Sequence, residues 1–400
     1  MRRFGFFVGV ALALTPAAAL AQVHTKIGVL NDQSTVYSDS QGIGSVIAAQ
    51  LAVEDYAKAL GVDAEVVFAD HQNKPDIGLN IARRWYDEEH VDVIMDLPNS
   101  AVALAVNGLT KDKNKVLIGS GAGTAALTGA QCTPNTVHWT YDTWELGHGF
   151  AKAVVARGGK KWFFISADYA FGKELEANAS EEVKALGATV LGGVRAPLGT
   201  SDFGSFLVQA QSSGADVIAF ANAGGDLSNA LKQAAEFGLT GKVMEPGFVF
   251  QINNVQALGL AASQGVLALS PFYWDQDEAS RAFAKRFQAR HPRKLMPNDM
   301  QAGVYSATVH YLKAVAALKS AADGKAVVAK MKEMPTDDPL FGKGYIRADG
   351  RKIQPIHLYE TKTPAESKGD WDFFKMVSTV PGEQAFRPMA DGGCPLVKGL

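Results

Sequence analysis

From residue 26 onward, short apolar runs alternate with longer stretches whose apolar residues recur at helical spacing. Lys26–Leu30 (KIGVL) reads as a strand, and Ile43–Leu60 places Ile47, Leu51 and Tyr56 among the positions of one helix face. The alternation continues with strands at Ala64–Ala69, Val91–Met95 and Lys115–Gly119 and helices at Asp76–Glu89 and Ala101–Thr110. Strands separated by helical crossovers are parallel, so this half of the chain predicts an α/β layer structure. A second series follows, with helices at Glu145–Arg157, Gly172–Leu186, Phe203–Ser213 and Asp226–Phe237. Its strands are Lys161–Ser166 (KWFFIS), Thr189–Arg195, Asp216–Ala221 (DVIAFA) and a short one at Lys242–Glu245. After residue 260 no third copy starts. A strand near Gly265–Leu269, helices at 277–290 and 298–321, and β-like segments at Gly344–Arg347 and Ile353–Glu360 suggest a return to the first lobe and then a second crossing. The predicted fold is two α/β lobes joined by several crossovers. Residues 22–142 and 270–345 form the N-terminal lobe, 143–269 and 346–380 the C-terminal lobe, and 381–400 a tail.

The first 21 residues break this pattern. Arg2 and Arg3 precede an apolar run from Phe4 to Leu14, and Ala19-Leu20-Ala21 supplies a small-x-small cleavage pattern. The run is short for a membrane span, so residues 1–21 read as a signal peptide and the protein as periplasmic. Removing them takes away two arginines and no acid, which moves the formal net charge from −2 to −4. Nothing in that balance points to nucleic acid, and no other stretch has the apolar length for stable membrane insertion. Two cysteines remain, Cys132 and Cys394; an even count in an exported protein predicts a disulfide between them.

In open α/β sheets ligands bind beyond the carboxyl ends of strands, so the loops there carry the candidate chemistry. The third strand runs into Asp96-Leu97-Pro98-Asn99-Ser100, where Asn99 or Ser100 caps the next helix and leaves N–H groups toward a cleft. A plain cap is the competing reading. The fourth strand runs into Gly119-Ser120-Gly121-Ala122-Gly123-Thr124, whose glycines let backbone N–H groups approach a carboxylate. Gly121-x-Gly123-x-x-Ala126 also matches a dinucleotide fingerprint, with Asp142 about 20 residues on. Gly129, Cys132, Pro134 and Asn135 interrupt the crossover helix that the fingerprint needs, and no cofactor is expected. In the second half the strand-end loops are Asp168-Tyr169-Ala170-Phe171-Gly172, Asn222-Ala223-Gly224-Gly225-Asp226 and Phe248-Val249-Phe250, with a further cluster at Phe272-Tyr273-Trp274-Asp275. Aromatic side chains there suit an apolar or ring-bearing ligand, against the alternative of ordinary core packing. Asp226 reads as a cap of the helix that follows. Nucleophile-elbow, phosphate-loop, zinc-protease and paired-cysteine motifs are absent from the sequence, and Cys132 near His138 is better explained by the disulfide than by a nucleophile and base.

The opening KIGVL strand with its long helix, VDVIMDLPNS, VLIGSGAGTAALTG and SADYAFGKELE, in this order behind a signal peptide, resemble the periplasmic solute-binding proteins of branched-chain amino acid-type ABC transporters. The resemblance covers roughly residues 24–380. YIRADGRKI and AFRPMADGGC are similar to a subgroup associated with uptake of aromatic or other organic acids. It implies a type I periplasmic binding fold of two Rossmann-like lobes with a multi-strand hinge, closing on a small molecule and delivering it to an ABC permease. It also implies a ligand carboxylate held by Asn99, Ser100 and the Gly121, Ala122, Gly123 and Thr124 loop. Phe171 covers the ligand, and Asn222 and Ala223 contribute from the second lobe. Amino-acid binders place an acid in a later second-lobe loop. Here Phe248 takes that register, with Glu245 three residues away. A buried ammonium without a carboxylate is costly, so an aromatic or aliphatic organic acid is expected, with Tyr37, Phe171, Phe248 and Trp274 around its apolar body. The alternatives are an amino-acid-binding protein and a ligand sensor feeding a membrane receptor or kinase. No catalytic role is expected.

Overall fold

The computed structural model describes residues 22–397, so the expected signal peptide lies outside the described residues. The first half forms β1 (Val23–Asn31), α1 (Gly42–Tyr56), β2 (Val62–Asp70), α2 (Pro75–Asp87), β3 (Val93–Asp96), α3 (Ser100–Asp112), β4 (Val116–Gly119) and β5 (Thr136–His138). These strands make one parallel sheet in the order β2-β1-β3-β4-β5. Alternation along the strands sorts side chains to two faces. Ile27, Val29, Val93, Met95, Val116 and Ile118 face α1. Ile94 and Leu117 face α2 and α3, where Trp85, Val102 and Val106 are buried. Gly28 lies on that second face because a Cβ there would sit 2.4 Å from the Trp85 ring.

The second half repeats the plan with α4 (Thr143–Ala156), β6 (Lys161–Ala167), α5 (Ala170–Ala185), β7 (Thr189–Ala196), α6 (Gly204–Ser212), β8 (Val217–Ala223), α7 (Gly224–Glu236) and β9 (Gly247–Val249). The sheet order is β7-β6-β8-β9, again parallel. Trp162 and Phe164 pack toward α4 and α5, and Phe163 and Ile165 toward α6 and α7. Each such large side chain, fully buried, contributes roughly 1.5–3 kcal/mol. The expected strand at Lys242–Glu245 is corrected. Met244 makes bonds to β8 through Asp216 and Ile218, but Pro246 has no N–H to continue the ladder, and regular pairing begins only at Gly247.

The remaining chain adds α8 (Ile252–Leu258), α9 (Leu260–Ser263), β10 (Leu267–Ser270), α10 (Glu278–Arg290), α11 (Asp299–Leu318), α12 (Gly324–Glu333), β11 (Thr336–Asp338), β12 (Gly342–Ile346), β13 (Lys352–Ile353), β14 (Ile356–Thr361) and β15 (Phe374–Val380). Helices α10, α11 and α12 bury Phe283, Phe287, Val304, Tyr311 and Val328 in the core of the first sheet. Strands β10, β14 and β15 form an antiparallel sheet between the lobes' outer segments, and β11, β12 and β13 form another.

One buried cation organises the crossing segments. Arg351 is fully buried and donates to the carbonyl oxygens of Thr140, Tyr141 (3.2 Å) and Lys352 (3.0 Å), with the Asp142 carboxylate at 3.4 Å. Its guanidinium lies 4.2 Å from the Phe386 ring centroid. Asp142 in turn caps α4, accepting from the Glu145 N–H at 2.8 Å. The segment that leads into α4 is therefore stitched to the turn that leads into β13.

Candidate ligand-binding cleft

The loops at the carboxyl ends of both parallel sheets meet. The Tyr37 hydroxyl, in the loop after β1, lies 2.6 Å from the Tyr169 hydroxyl after β6. The Gly225 N–H donates to the Val36 carbonyl oxygen at 2.9 Å, and Asn253 donates to the Asp39 carbonyl oxygen at 3.2 Å. Gly123, after β4, lies against the Phe171 ring, where an added Cβ would sit 2.8 Å from a ring carbon. The lobes are thus in contact across the cleft, and the residues lining it are buried by each other.

In the first lobe Asn99 and Ser100 divide the work at the start of α3. The Asn99 side-chain oxygen accepts from the N–H groups of Ala101 (3.0 Å) and Val102 (3.2 Å), so Asn99 is the cap. Ser100 is fully buried and its Oγ has no hydrogen-bond partner among the described residues. The glycine loop behaves differently from expectation at two positions. Gly121 and Ala122 donate their N–H groups to the Asp96 carbonyl oxygen at 3.1 and 3.2 Å, so these N–H groups are already engaged. Gly121 also lies close to the side chains of Asp96 and Gln41, which leaves no room for a Cβ. The Thr124 hydroxyl accepts from the Ala126 N–H at 3.2 Å, turning the chain into a short helical turn.

In the second lobe Phe171 is buried with its ring 6.0 Å from that of Tyr169. Asn222 is 1% exposed, and neither its amide oxygen nor its nitrogen has a partner among the described residues. Ala223 is the N-cap residue of α7. Two expected site residues lie elsewhere. Phe248 belongs to β9 rather than to the loop after it, and its ring packs against Phe150 (5.4 Å) and Phe164 (6.4 Å) in the lobe core. Trp274 packs beside Tyr273, and its indole N–H donates to the Trp371 carbonyl oxygen at 2.9 Å, outside the group that meets at the cleft. Glu245 lies at the amino end of β9, the end opposite the cleft, where burial raises its carboxyl pKa.

Four residues have roles that their sequence context does not announce. The Tyr141 hydroxyl donates to the Gly121 carbonyl oxygen at 2.9 Å, bracing the glycine loop from the first crossing. Gln41 and Met300 touch beside that loop. Asp226 accepts from the Gly199 N–H at 2.9 Å through one oxygen, and its other oxygen has no partner among the described residues, so it does not act as the helix cap. Of these four, the sequence singles out Asp226 alone, and as a helix cap; Tyr141, Gln41 and Met300 carry no local signal. Burial pushes the carboxyls of Asp96 and Asp226 up to about 6 and that of Asp299 up to about 7. His138 is held neutral, its pKa lowered to about 3 by burial and by nearby Arg351, and it hydrogen-bonds the Ala122 carbonyl oxygen at 2.6 Å.

Cys132 and Cys394 are joined in a disulfide with their Cα atoms 5.6 Å apart, so Cys132 presents no thiol to His138. Two cavities lie away from the meeting loops. One, of about 580 Å³, is lined by Val154, Leu231, Thr240, Glu245, Leu258 and Leu267; the other, of about 360 Å³, lies against the first turns of α4. Among the described residues no helix is long and apolar enough to cross a membrane.

Two parallel-sheet lobes with their strand ends facing one closed cleft form a ligand-capturing architecture. A model of the periplasmic binding protein family matches residues 24–370. The chain belongs to that family. A periplasmic binding protein from Burkholderia mallei is 48% identical and superposes with a TM-score of 0.90 over 94% of this chain and 99% of that one. A branched-chain amino acid ABC transporter periplasmic ligand-binding protein from Burkholderia xenovorans LB400 is 40% identical, with a TM-score of 0.81 over 93% and 99%. An ABC transporter solute-binding protein from R. palustris, in complex with 4-hydroxybenzoate, shares the fold at 23% identity, with a TM-score of 0.81 over 94% and 100%. This periplasmic binding protein therefore has the family and fold of ABC-transporter solute-binding proteins rather than of an enzyme.

Proposed function

We propose that the protein captures a small carboxylate with an aromatic or aliphatic body between its lobes and delivers it to an ABC permease. One observation carries this reading: Ser100 Oγ in the first lobe and the Asn222 amide in the second are buried polar groups with no partner among the described residues. Buried polar groups are almost always satisfied, and an unpaired one costs about 1–3 kcal/mol, so both suit hydrogen-bonding atoms of a polar ligand. Tyr37, Tyr141 and Phe171, buried in one apolar cluster that joins the lobes, suit the ligand's body. The position of Glu245 on the far end of β9 removes it as an ammonium partner. The hydroxybenzoate-bound relative supports the same ligand class.

A second reading, an α-amino acid, is favoured by Asp226, whose unpartnered buried oxygen offers an ammonium group a hydrogen bond. The branched-chain amino acid relative points the same way. A thermal-shift screen of the mature protein against aromatic acids, aliphatic acids and amino acids separates the two. A bound ligand at 100 times its Kd adds about 2.7 kcal/mol of stability. A shift with hydroxybenzoates or short-chain acids that Ser100→Ala abolishes and Asp226→Asn spares supports the organic-acid reading. A shift confined to amino acids and lost in Asp226→Asn refutes it.

A further inference from the structure

The 360 Å³ cavity lies between α4 and the antiparallel sheet of β10, β14 and β15. One wall is a stripe of α4 that includes Trp144, Glu145 and His148; the facing wall is the antiparallel sheet, with Leu269 from β10, Leu358 from β14 and Val380 from β15. Its size falls within the range of small-molecule sites. Glu145 is 3% exposed, and its Oε2 has no hydrogen-bond partner among the described residues. Asp142 is paired with Arg351 at 3.4 Å, whereas Glu145 has no ion-pair partner among the described residues, and burial raises its carboxyl well above the usual carboxylate range. A cation brought against it would favour its ionised form. Trp144 stacks on His148 with ring centroids 3.9 Å apart, and both line the cavity. Lys152 lines it too, with its ammonium 3.7 Å from the Glu182 carboxylate that pairs with it.

We propose that this cavity is a second binding site, for a small aliphatic ammonium ion. The ammonium pairs with the Glu145 carboxylate beside Trp144, and the alkyl chain lies on Leu269, Leu358 and Val380. A carboxylate, an apolar wall and an aromatic ring are the three elements that recognise such a cation.

The test uses the mature protein and n-butylammonium chloride, with n-butanol and sodium butyrate as neutral and anionic probes of the same length. Butylammonium is expected to raise the melting temperature saturably in the millimolar range, and the two controls are not. Glu145→Gln, which keeps the shape of the un-ionised acid, is expected to weaken butylammonium binding at least tenfold. Ala153→Phe, which fills the cavity without touching the carboxyl, is expected to do the same. Ser100→Ala reports on the cleft, and its response to butylammonium is expected to match the parent protein whatever the cleft binds. Absence of a shift at about 10 mM, a limit weaker than millimolar affinity, overturns the proposal. So does an undiminished shift in both cavity variants, or loss of the shift in Ser100→Ala.

Discussion

At the scale of single residues, the buried carboxyls set a testable pH dependence. Asp299 stands in the first turn of α11, where its carboxyl accepts from Gln251 and burial pushes its pKa up to about 7. The unfolded carboxyl ionises near 3.9. Between about pH 4 and 7 the native state holds a proton that the unfolded chain has lost, so this group makes stability fall as pH rises. His71, lowered to about 4, and His138, lowered to about 3, act in the opposite direction: their contribution is full above about pH 6.5 and falls as pH drops toward 4. A raw stability curve mixes these slopes, whereas a variant isolates one. Asp299→Asn imitates the protonated acid and is expected to exceed the parent protein in stability by roughly 2–4 kcal/mol at pH 8 and by much less at pH 5. Denaturant melts at both pH values measure the gap; a gap independent of pH refutes the assignment. Gly123 gives a steric counterpart. A methyl group there meets the Phe171 ring at 2.8 Å, so Gly123→Ala is expected to leave each lobe folded while weakening ligand affinity, read by calorimetry, by tenfold or more.

Secondary-structure elements were legible in the sequence wherever apolar period and turn chemistry agreed. β1, β6 and β8 are dense runs of large or β-branched residues, α4 starts at the Asp142 cap, and α4 and α5 are each followed by glycine. The three-residue β5 and the strand β9 were less legible, because each is fixed by pairing with a distant strand rather than by its own pattern. The same cause misplaced Phe248: a strand start moved past Pro246 turns a loop residue into a core residue. Among the candidate cleft residues, Ser100, Gly123, Phe171 and Asn222 were visible as strand-end residues. Asp226 was visible only as a cap, because nothing local announces a carboxyl with one oxygen unpaired. The tail is an element whose role needed three dimensions. Arg387 donates to the Ala125 carbonyl oxygen at 2.9 Å, and the disulfide closes a separation of 262 residues next to the turn that follows the glycine loop. Replacing both cysteines by serine is expected to cost about 2–5 kcal/mol in denaturant melts. It is also expected to weaken ligand binding, because the loop behind Gly121–Thr124 loses its tether. Unchanged affinity in the double variant shows that the tail holds the lobe together but not the loop.

For the whole molecule, function depends on the balance between open and closed arrangements. Several polar contacts join the lobes: the Tyr37–Tyr169 pair at 2.6 Å, the Gly225 N–H to the Val36 carbonyl oxygen, and Asn298 to Gln251 and Asn253, each at 2.9 Å. Capture depends on how strongly such contacts hold the lobes, because strongly adhering lobes would close without cargo and leave the ligand nothing to select. Tyr37→Phe removes one hydroxyl, leaves the Tyr169 hydroxyl without its partner, and keeps the aromatic surface. A net hydrogen bond contributes about 0.5–1.5 kcal/mol, so the ratio of closed to open molecules falls by roughly 2–12-fold. Apparent affinity scales with the fraction of molecules competent to close, so ligand binding is expected to weaken by up to the same factor. Small-angle scattering of the ligand-free variant is expected to give a larger radius of gyration than the parent protein, with the two converging once ligand saturates both. An unchanged radius together with unchanged affinity means that closure is governed by the apolar cluster of Tyr141, Phe171 and Met300 rather than by the hydroxyl pair. A changed radius with unchanged affinity is excluded by linkage if the ligand binds only the closed form, so that outcome identifies a ligand that also binds the open lobes.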